Sequence, residues 1–349
     1  MGKAPTVYDV AAAAGVSIAT VSFAFRQPEK IRPATAEAVY AAARALGYVP
    51  SASARGLAAG RTGVIGLISW DIYATSPARV DPFGNEDLRH FPRYVDEVQR
   101  GIEIATWRNG YSLLVGGGNH RNSESTIIDI AGRSDALVVF PNTTTAETIV
   151  PIAERIPVVI VSEFAGTEKL NRVTIENEDG IAQLTRHLVR EHGVRRPQFV
   201  GGVGSMEFRA RWEAFRDTLL AEGITPPSEP VTAEGGAVAA VLALLERVGE
   251  TELPDALVCR TDADALDVID ALRTRGLAVP GRIIVTGFDG IAAGLVSTPR
   301  LTTVRQPMQA LGEAAVDLLI AQLTTPSAPL TRTLPTRLAA RESCGCTPA

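Results

Sequence analysis

The most reactive side chains in this 349-residue sequence are three cysteines and four histidines, and their spacing arms no site. Cys344 and Cys346 bracket one glycine, with no histidine or second cysteine pair nearby in sequence to complete a zinc tetrahedron. Cys259 stands alone, so an even disulfide framework is excluded and a reducing compartment is implied. His90, His120, His187 and His192 follow neither metal-ligand spacing nor the pattern of nucleophilic catalysis, and are expected at helix ends or on the surface. No metal and no cofactor is therefore expected. The run Gly116-Gly117-Gly118-Asn119 lacks the full glycine fingerprint and downstream acid of a nucleotide fold, and neither a Gly-x-Ser-x-Gly elbow nor a phosphate loop occurs. These absences argue against an enzyme.

Charge points elsewhere. Residues 1–60 carry six basic against three acidic side chains, a net +3, which leaves −8 for the remainder of a chain whose total is −5. A basic head on an acidic body implies a polyanionic partner for the head alone. In that head, Thr6 and Asp9 have the spacing of a capping box at a helix start, with Val10 and Ala14 on one face. Gly15 permits a sharp turn, and Ser17 can cap a second helix from Ile18 to Phe25. Two short helices around a glycine turn make a helix-turn-helix. A third helix is predicted from Pro33 to Leu46, with Val39, Ala43 and Leu46 as its buried stripe and Gly47 as its stop. The following SASARGLAAGRT is a linker that becomes helical only in company.

From Val64 the pattern changes to apolar strands alternating with helices, which predicts a layered α/β core built on parallel sheets. The low aromatic content of 5% and the short β-branched runs favour that class over a β-sandwich. Predicted strands are 64–69, 112–116, 136–140, 158–161, 198–201, 256–259 and 283–287, with helices between them at 93–109, 145–155, 179–192, 206–222, 237–246, 263–275 and 308–323. A core of this length divides into two lobes. The chain is expected to cross near Ser162 and again near Ser297. No stretch approaches the ~20 apolar residues of a membrane span, and the start lacks a secretory pattern, so a cytoplasmic protein with no membrane partner is expected.

The segment TVYDVAAAAGVSIATVS at residues 6–22, followed by Leu46-Gly47-Tyr48-Val49-Pro50 and Ala54-Arg55-Gly56-Leu57, resembles the N-terminal signature of the lactose-repressor (LacI/GalR) family. The resemblance continues through Gly63-Val64-Ile65-Gly66-Leu67, Ile156-Pro157-Val158-Val159, Gly287-Phe288-Asp289, Leu301 to Pro307 and Ala340-Arg341-Glu342-Ser343, nearly the whole chain. It implies a three-helix head at 1–50, a hinge helix at 51–62 and a two-lobed core like that of periplasmic binding proteins at 63–349, with lobe 1 about 63–162 and 291–323 and lobe 2 about 163–290 and 324–349.

The same resemblance implies a homodimeric repressor at the nucleoid, bound to palindromic double-stranded DNA and controlled by a small molecule between the lobes. Ser17, Thr20, Ser22 and Arg26 would then hold phosphates, Ile18, Ala19 and Phe23 face bases, and Thr6 is a further DNA-binding candidate. Phe23 stands where the family usually has arginine or another polar reader, which replaces a bidentate guanine contact by apolar contact with thymine methyls. Leu57, beside Ala54, matches the family's minor-groove wedge. Arg211 and Asp289 match the family's ligand-contacting arginine and acidic hydroxyl acceptor, Asp71 is a third polar candidate, and Trp70 and Phe164 are candidate stacking faces for a sugar. Glu163 is placed near the same cleft. Residues 73–94 resemble an insertion at the cleft mouth or dimer edge, and Thr261 replaces the family's usual asparagine. The tail after Glu342 lacks the leucine heptads of the family's tetramers, so a dimer is expected. A solute-binding protein would share the core but not the head.

Overall fold

The computed structural model describes residues 5–49, 61–70, 93–118, 123–249 and 252–347. The chain forms two compact units, Met1–Gly63 and Val64–Ala349.

In the first unit, α1 (Val7–Ala14) starts where Asp9 Oδ2 accepts hydrogen bonds from the Thr6 backbone N–H (2.7 Å) and the Thr6 hydroxyl (2.8 Å). Gly15, at φ 65°, turns the chain into α2 (Ile18–Arg26), whose first turn is held by Thr20 N–H donating to Ser17 Oγ at 3.1 Å. The two helices meet at 101°, within the range of a helix-turn-helix. Pro33 opens α3 (Pro33–Leu46). Val10, Ala11, Val21, Ala24, Val39 and Ala43 form the head's core. Leu46 does not join it and remains 39% exposed. The chain reverses at Gly47, the Tyr48 N–H bonds back to Ala43 O at 2.9 Å, and the Tyr48 ring packs beside Phe25 instead.

The second unit holds two sheets. Its strands are β1 (Val64–Trp70), β2 (Ser112–Gly118), β3 (Ala136–Val139), β4 (Val158–Val161), β5 (Asn171–Ile175), β6 (Pro197–Val200), β7 (Ala256–Cys259), β8 (Ile284–Asp289), β9 (Thr302–Arg305), β10 (Thr331–Leu334) and β11 (Arg337–Ala339). The intervening helices are α4 (Arg93–Arg108), α5 (Ser123–Gly132), α6 (Ala146–Ala153), α7 (Asn177–His192), α8 (Met206–Ala221), α9 (Gly236–Val248), α10 (Asp262–Thr274), α11 (Ala293–Val296) and α12 (Met308–Thr324). One sheet runs β10-β5-β4-β3-β1-β2, all parallel. The other runs β11-β9-β8-β7-β6, parallel except for the antiparallel β11. Both are covered by helices, which is why β3, β4 and β7 read as unbroken apolar runs.

The lobe boundaries drawn from the sequence at 162, 291 and 323 are corrected by strand pairing. β5 pairs with β4, so the first crossing follows Ile175; β9 pairs with β8, so the second follows Arg305; β10 returns to β5, so the third follows Leu334. Each crossing comes one strand later than expected, because β5 (NRVTI), β9 (TTVR) and β10 (TRTL) are too polar to show as strands until their neighbours pair with them. A second correction concerns the tail. Cys344 and Cys346, remote from histidine in sequence, stand beside His187 and His192, with the four potential ligand atoms within 4.8 Å of one another.

Candidate DNA-binding face and interlobe cavity

On α2, Val21 and Ala24 turn into the core while Ser17, Ile18, Ala19 and Phe23 point outward, Ile18 and Phe23 being 42% and 41% exposed. Thr20 and Ser22 are half-buried at the edge of this face. The Ser17 and Thr20 hydroxyls lie 2.9 Å apart, one donating to the other, and Thr6 is committed to the cap of α1. An exposed apolar pair flanked by hydroxyls on a capped helix is a surface suited to base edges and phosphates. The side chains of Arg26 and Trp70, and all of Ala54, Leu57 and Asp71, lie outside the described residues, as does the 73–94 segment up to Pro92.

In the core, a cavity of about 250 Å³ opens between the sheets, at the C-terminal ends of their strands. Lobe 1 contributes Tyr94, Pro141, Asn142 and Ser162; lobe 2 contributes Glu207, Phe208, Arg211, Thr261 and Asp289, and Gln306 follows the second crossing. The non-glycine residues with positive φ among the described residues are Asn142 (60°), Ser162 (73°) and Asp289 (133°), and all three line this cavity. Such backbone costs on the order of 1–3 kcal/mol each and persists where surrounding contacts enforce it. Strain is thus concentrated at the strand ends that face the cavity.

The Gly287-Phe288-Asp289 run shows how the strain is held. A Cβ at Gly287 would collide with Asp262 Oδ1, so glycine is what lets the buried Asp262 approach β8. Asp262 Oδ2 then accepts the Gly290 and Ile291 N–H groups at 2.7 and 2.9 Å, and Oδ1 accepts the Thr303 hydroxyl at 2.5 Å, fixing the turn that presents Asp289. Phe288 is fully buried and serves as a platform for Arg211, whose guanidinium carbon lies 3.6 Å from the ring centroid. Arg211, only 4% exposed, donates from Nε to Asn177 Oδ1 at 2.8 Å and from Nη1 to Arg260 O at 2.7 Å. Its Nη1 stands 3.9 Å from Asp289 Oδ1, attracted but not hydrogen-bonded. Gln306 Nε2 donates to Asp289 Oδ1 at 2.6 Å.

Burial pushes the Asp289 carboxyl up to about 8; the Arg211 guanidinium pulls the other way, and Asp262 adds to the rise. Burial also raises Asp262, to about 6, against the hydrogen bonds it accepts. The Tyr94 hydroxyl, raised by burial and then by Asp289, stays protonated and able to donate. Across the cleft, Glu207 Oε1 accepts from the Ser162 hydroxyl and, at 2.9 Å, from the Glu163 N–H, so one carboxylate of α8 joins the lobes.

Arg211 and Asp289 are therefore brought together, whereas Phe164 is not. It packs against the apolar cluster of Ile68, Ile127 and Ile160 under the first sheet, and the cavity's aromatic walls are Tyr94 and Phe208. Glu163 faces Arg172 at 3.4 Å instead of the cavity. Asn142 and Ser162 were not marked as cavity residues by the sequence, although each lies within three residues of a strand end, the position where open α/β sheets bind ligands, and Thr261, noted in the sequence for replacing an asparagine, joins them there. Tyr94, Glu207, Phe208 and Gln306 arrive from helix starts and a crossing, with no local signal of their own.

A capped helix-turn-helix head joined in one chain to a two-lobed α/β core, with a mainly apolar interlobe cavity that holds a few convergent polar groups, defines a ligand-sensing DNA-binding regulator. Residues 6–51 match the family model of bacterial regulatory proteins of the lacI family, and residues 185–344 match that of the periplasmic binding protein-like domain. The sequence is 29% identical over 325 residues to Catabolite control protein A of Priestia megaterium, covering 90% of this chain and 91% of that protein. The transcriptional regulator CelR in complex with cellobiose is similar at 26% identity with a TM-score of 0.66, covering 97% of this chain and 99% of the other. The lac repressor dimer bound to operator and the anti-inducer ONPF shares the fold at a TM-score of 0.79 and 23% identity, covering 98% and 99%. The chain thus carries a helix-turn-helix domain of the lacI family of bacterial regulatory proteins and a periplasmic binding protein-like domain, and is a DNA-binding transcription regulator.

Proposed function

We propose that the protein is a homodimeric repressor without enzymatic activity, acting at the nucleoid, whose affinity for a palindromic DNA operator is set by a sugar or sugar derivative held between the lobes. The observation that carries the reading is the convergence of the strained residues Asn142, Ser162 and Asp289 with buried Arg211 on one cavity. A guanidinium and a carboxylate that do not hydrogen-bond each other retain capacity for hydroxyl groups, and Tyr94 and Phe208 offer apolar faces for a ring. The volume, about 250 Å³ and just below the ~300–1,000 Å³ common for ligand pockets, suits a single small ring. The similar regulator CelR is known in complex with cellobiose, a ligand of this chemical class. A ligand bridging both lobes changes operator affinity by its differential affinity for their two dispositions, and residues 51–62 are where the sequence places the transmitting hinge.

The test begins with selection of binding sites from a random duplex pool, followed by a thermal-shift screen against sugars, polyols, sugar phosphates and purines. The reading expects a two-fold symmetric site, a ligand that raises the melting temperature, and a change of roughly 5- to 150-fold in operator affinity on adding it. A ligand that stabilises the protein but leaves operator binding unchanged, or selected DNA with no symmetry, would refute it.

A further inference from the structure

His187 and His192 lie on the last turns of α7, and Cys344 and Cys346 lie in the C-terminal segment, about 150 residues further along the chain. Folding brings their ligand-type atoms together. His187 Nε2 is 3.1 Å from His192 Nε2, 3.6 Å from Cys344 Sγ and 3.6 Å from Cys346 Sγ; Cys346 Sγ is 3.4 Å from His192 Nε2. One imidazole nitrogen carries either a single lone pair or a single hydrogen, so His187 Nε2 cannot satisfy three such neighbours by hydrogen bonding. A cation at their centre satisfies all four. Tetrahedral zinc with Zn–N near 2.05 Å and Zn–S near 2.3 Å requires edges of about 3.3 Å between nitrogens and about 3.5 Å between nitrogen and sulfur. The four separations given match these edges to within a few tenths of an ångström, and the other two, from Cys344 Sγ to Cys346 Sγ and to the His192 ring nitrogen, lie within 4.8 Å, so Cys344 closes the sphere by a small inward shift.

The surrounding backbone is arranged to hold this geometry. Gly345 takes φ 100°, a conformation that turns the two flanking thiols toward the same side, and the Cys344 and Cys346 N–H groups both bond to Arg341 O, at 3.4 and 3.2 Å. The Ser343 hydroxyl donates to Val285 O at 2.6 Å and accepts from Thr302 N–H at 2.8 Å, anchoring the segment to the second sheet. Cys344 is 1% exposed, while His187, His192 and Cys346 are half-buried, so an ion has a path in but no room for a substrate. The 16-residue α7 starts at Asn177, which bonds Arg211 at the cavity, and ends at His192, roughly 22 Å away at 1.5 Å per residue. The cluster is therefore remote from the effector cavity.

We propose that His187, His192, Cys344 and Cys346 form a closed four-ligand site for a zinc ion that staples the C-terminal segment to the end of α7. Two thiolates and two imidazoles are a soft donor set that excludes magnesium and calcium, and four protein ligands complete the sphere of a structural ion. The ion closes a loop spanning most of lobe 2, so its binding is coupled to the folding of that lobe.

The test uses tag-free full-length protein purified without chelator. Elemental analysis is expected to find about one zinc per chain. Exchange for Co²⁺ is expected to give the intense visible absorption of tetrahedral cobalt with a thiolate charge-transfer band. Cys346→Ser and His192→Asn should each weaken Co²⁺ binding by at least about 100-fold, beyond the ~10–100-fold that outer-shell changes cost, while Cys259→Ser, buried elsewhere, leaves the spectrum intact. A wild-type protein that retains no stoichiometric zinc and gives only the weak spectrum of octahedral cobalt overturns the proposal, whatever the variants do. So does a Cys344–Cys346 disulfide in protein recovered from a reducing cytosol, or undiminished metal in both ligand variants.

Discussion

Asp289→Asn tests the cavity's electrostatics and its ligand role together. In the empty protein the Asp289 carboxyl, 7% exposed, has its proton affinity raised from an ordinary 3.8 to about 8, by burial first and despite Arg211 at 3.9 Å. A folded-state value above the unfolded one means the folded protein binds the proton more tightly. The stability this confers is complete below pH 4 and is lost as pH rises toward 8. At ~1.4 kcal/mol per tenfold in proton affinity, the loss has an upper limit of about 6 kcal/mol. Asp262, raised to about 6, contributes in the lower half of that window, so the interval between pH 6 and 8 isolates Asp289.

Urea unfolding of wild type and variant across pH 5 to 9 is the assay, and the quantity of interest is the difference between the two curves. Asn keeps the shape without the titration, so the variant is expected to gain on the wild type steadily from pH 6 to 8. A hydroxylated ligand that donates to the carboxylate favours its charged form, so wild-type ligand affinity should rise with pH over the same interval and binding should release protons. In the variant this dependence should vanish, with affinity lower by roughly 10- to 150-fold, the value of one hydrogen bond to a charged group at ~1.5–3 kcal/mol. A stability difference independent of pH would refute the assignment of the raised carboxyl to Asp289.

Gly287→Ala should cost at least ~1–3 kcal/mol in chemical denaturation, because the new methyl displaces the Asp262 carboxylate that holds the Asp289 turn; a neutral result would remove that account of the motif. Ser17→Ala removes the acceptor for Thr20 N–H and is expected to destabilise α2 by ~1 kcal/mol, read as faster amide exchange in residues 18–21. Phe23→Arg should shift the preferred base at one position of each half-site toward guanine by ~1–3 kcal/mol, measured by competition between selected sites; an unchanged preference would place Phe23 away from the bases.

The sequence by itself determined the head almost completely. Its caps, glycine turn and apolar spacing are local devices, and a bundle of three short helices is built from neighbours in the chain, so Thr6, Ser17, Pro33 and Gly47 act where they were read. Leu46 is the exception, since only the reversal at Gly47 decides whether it or Tyr48 meets the core. The buried central strands were legible for a related reason: helices cover both their faces, and continuous apolar runs record that directly. Tertiary structure decided whatever depends on distant pairing. β5, β9 and β10 are strands because their neighbours complete their hydrogen bonds, and the lobe crossings move with them. Phe164 and Arg211 both read as ligand contacts, but sheet packing sends the first beneath β4 and stacks the second on Phe288 at the cavity. The histidine and cysteine cluster is the extreme case, because no local pattern links two ends of a lobe separated by about 150 residues until the sheet between them has formed.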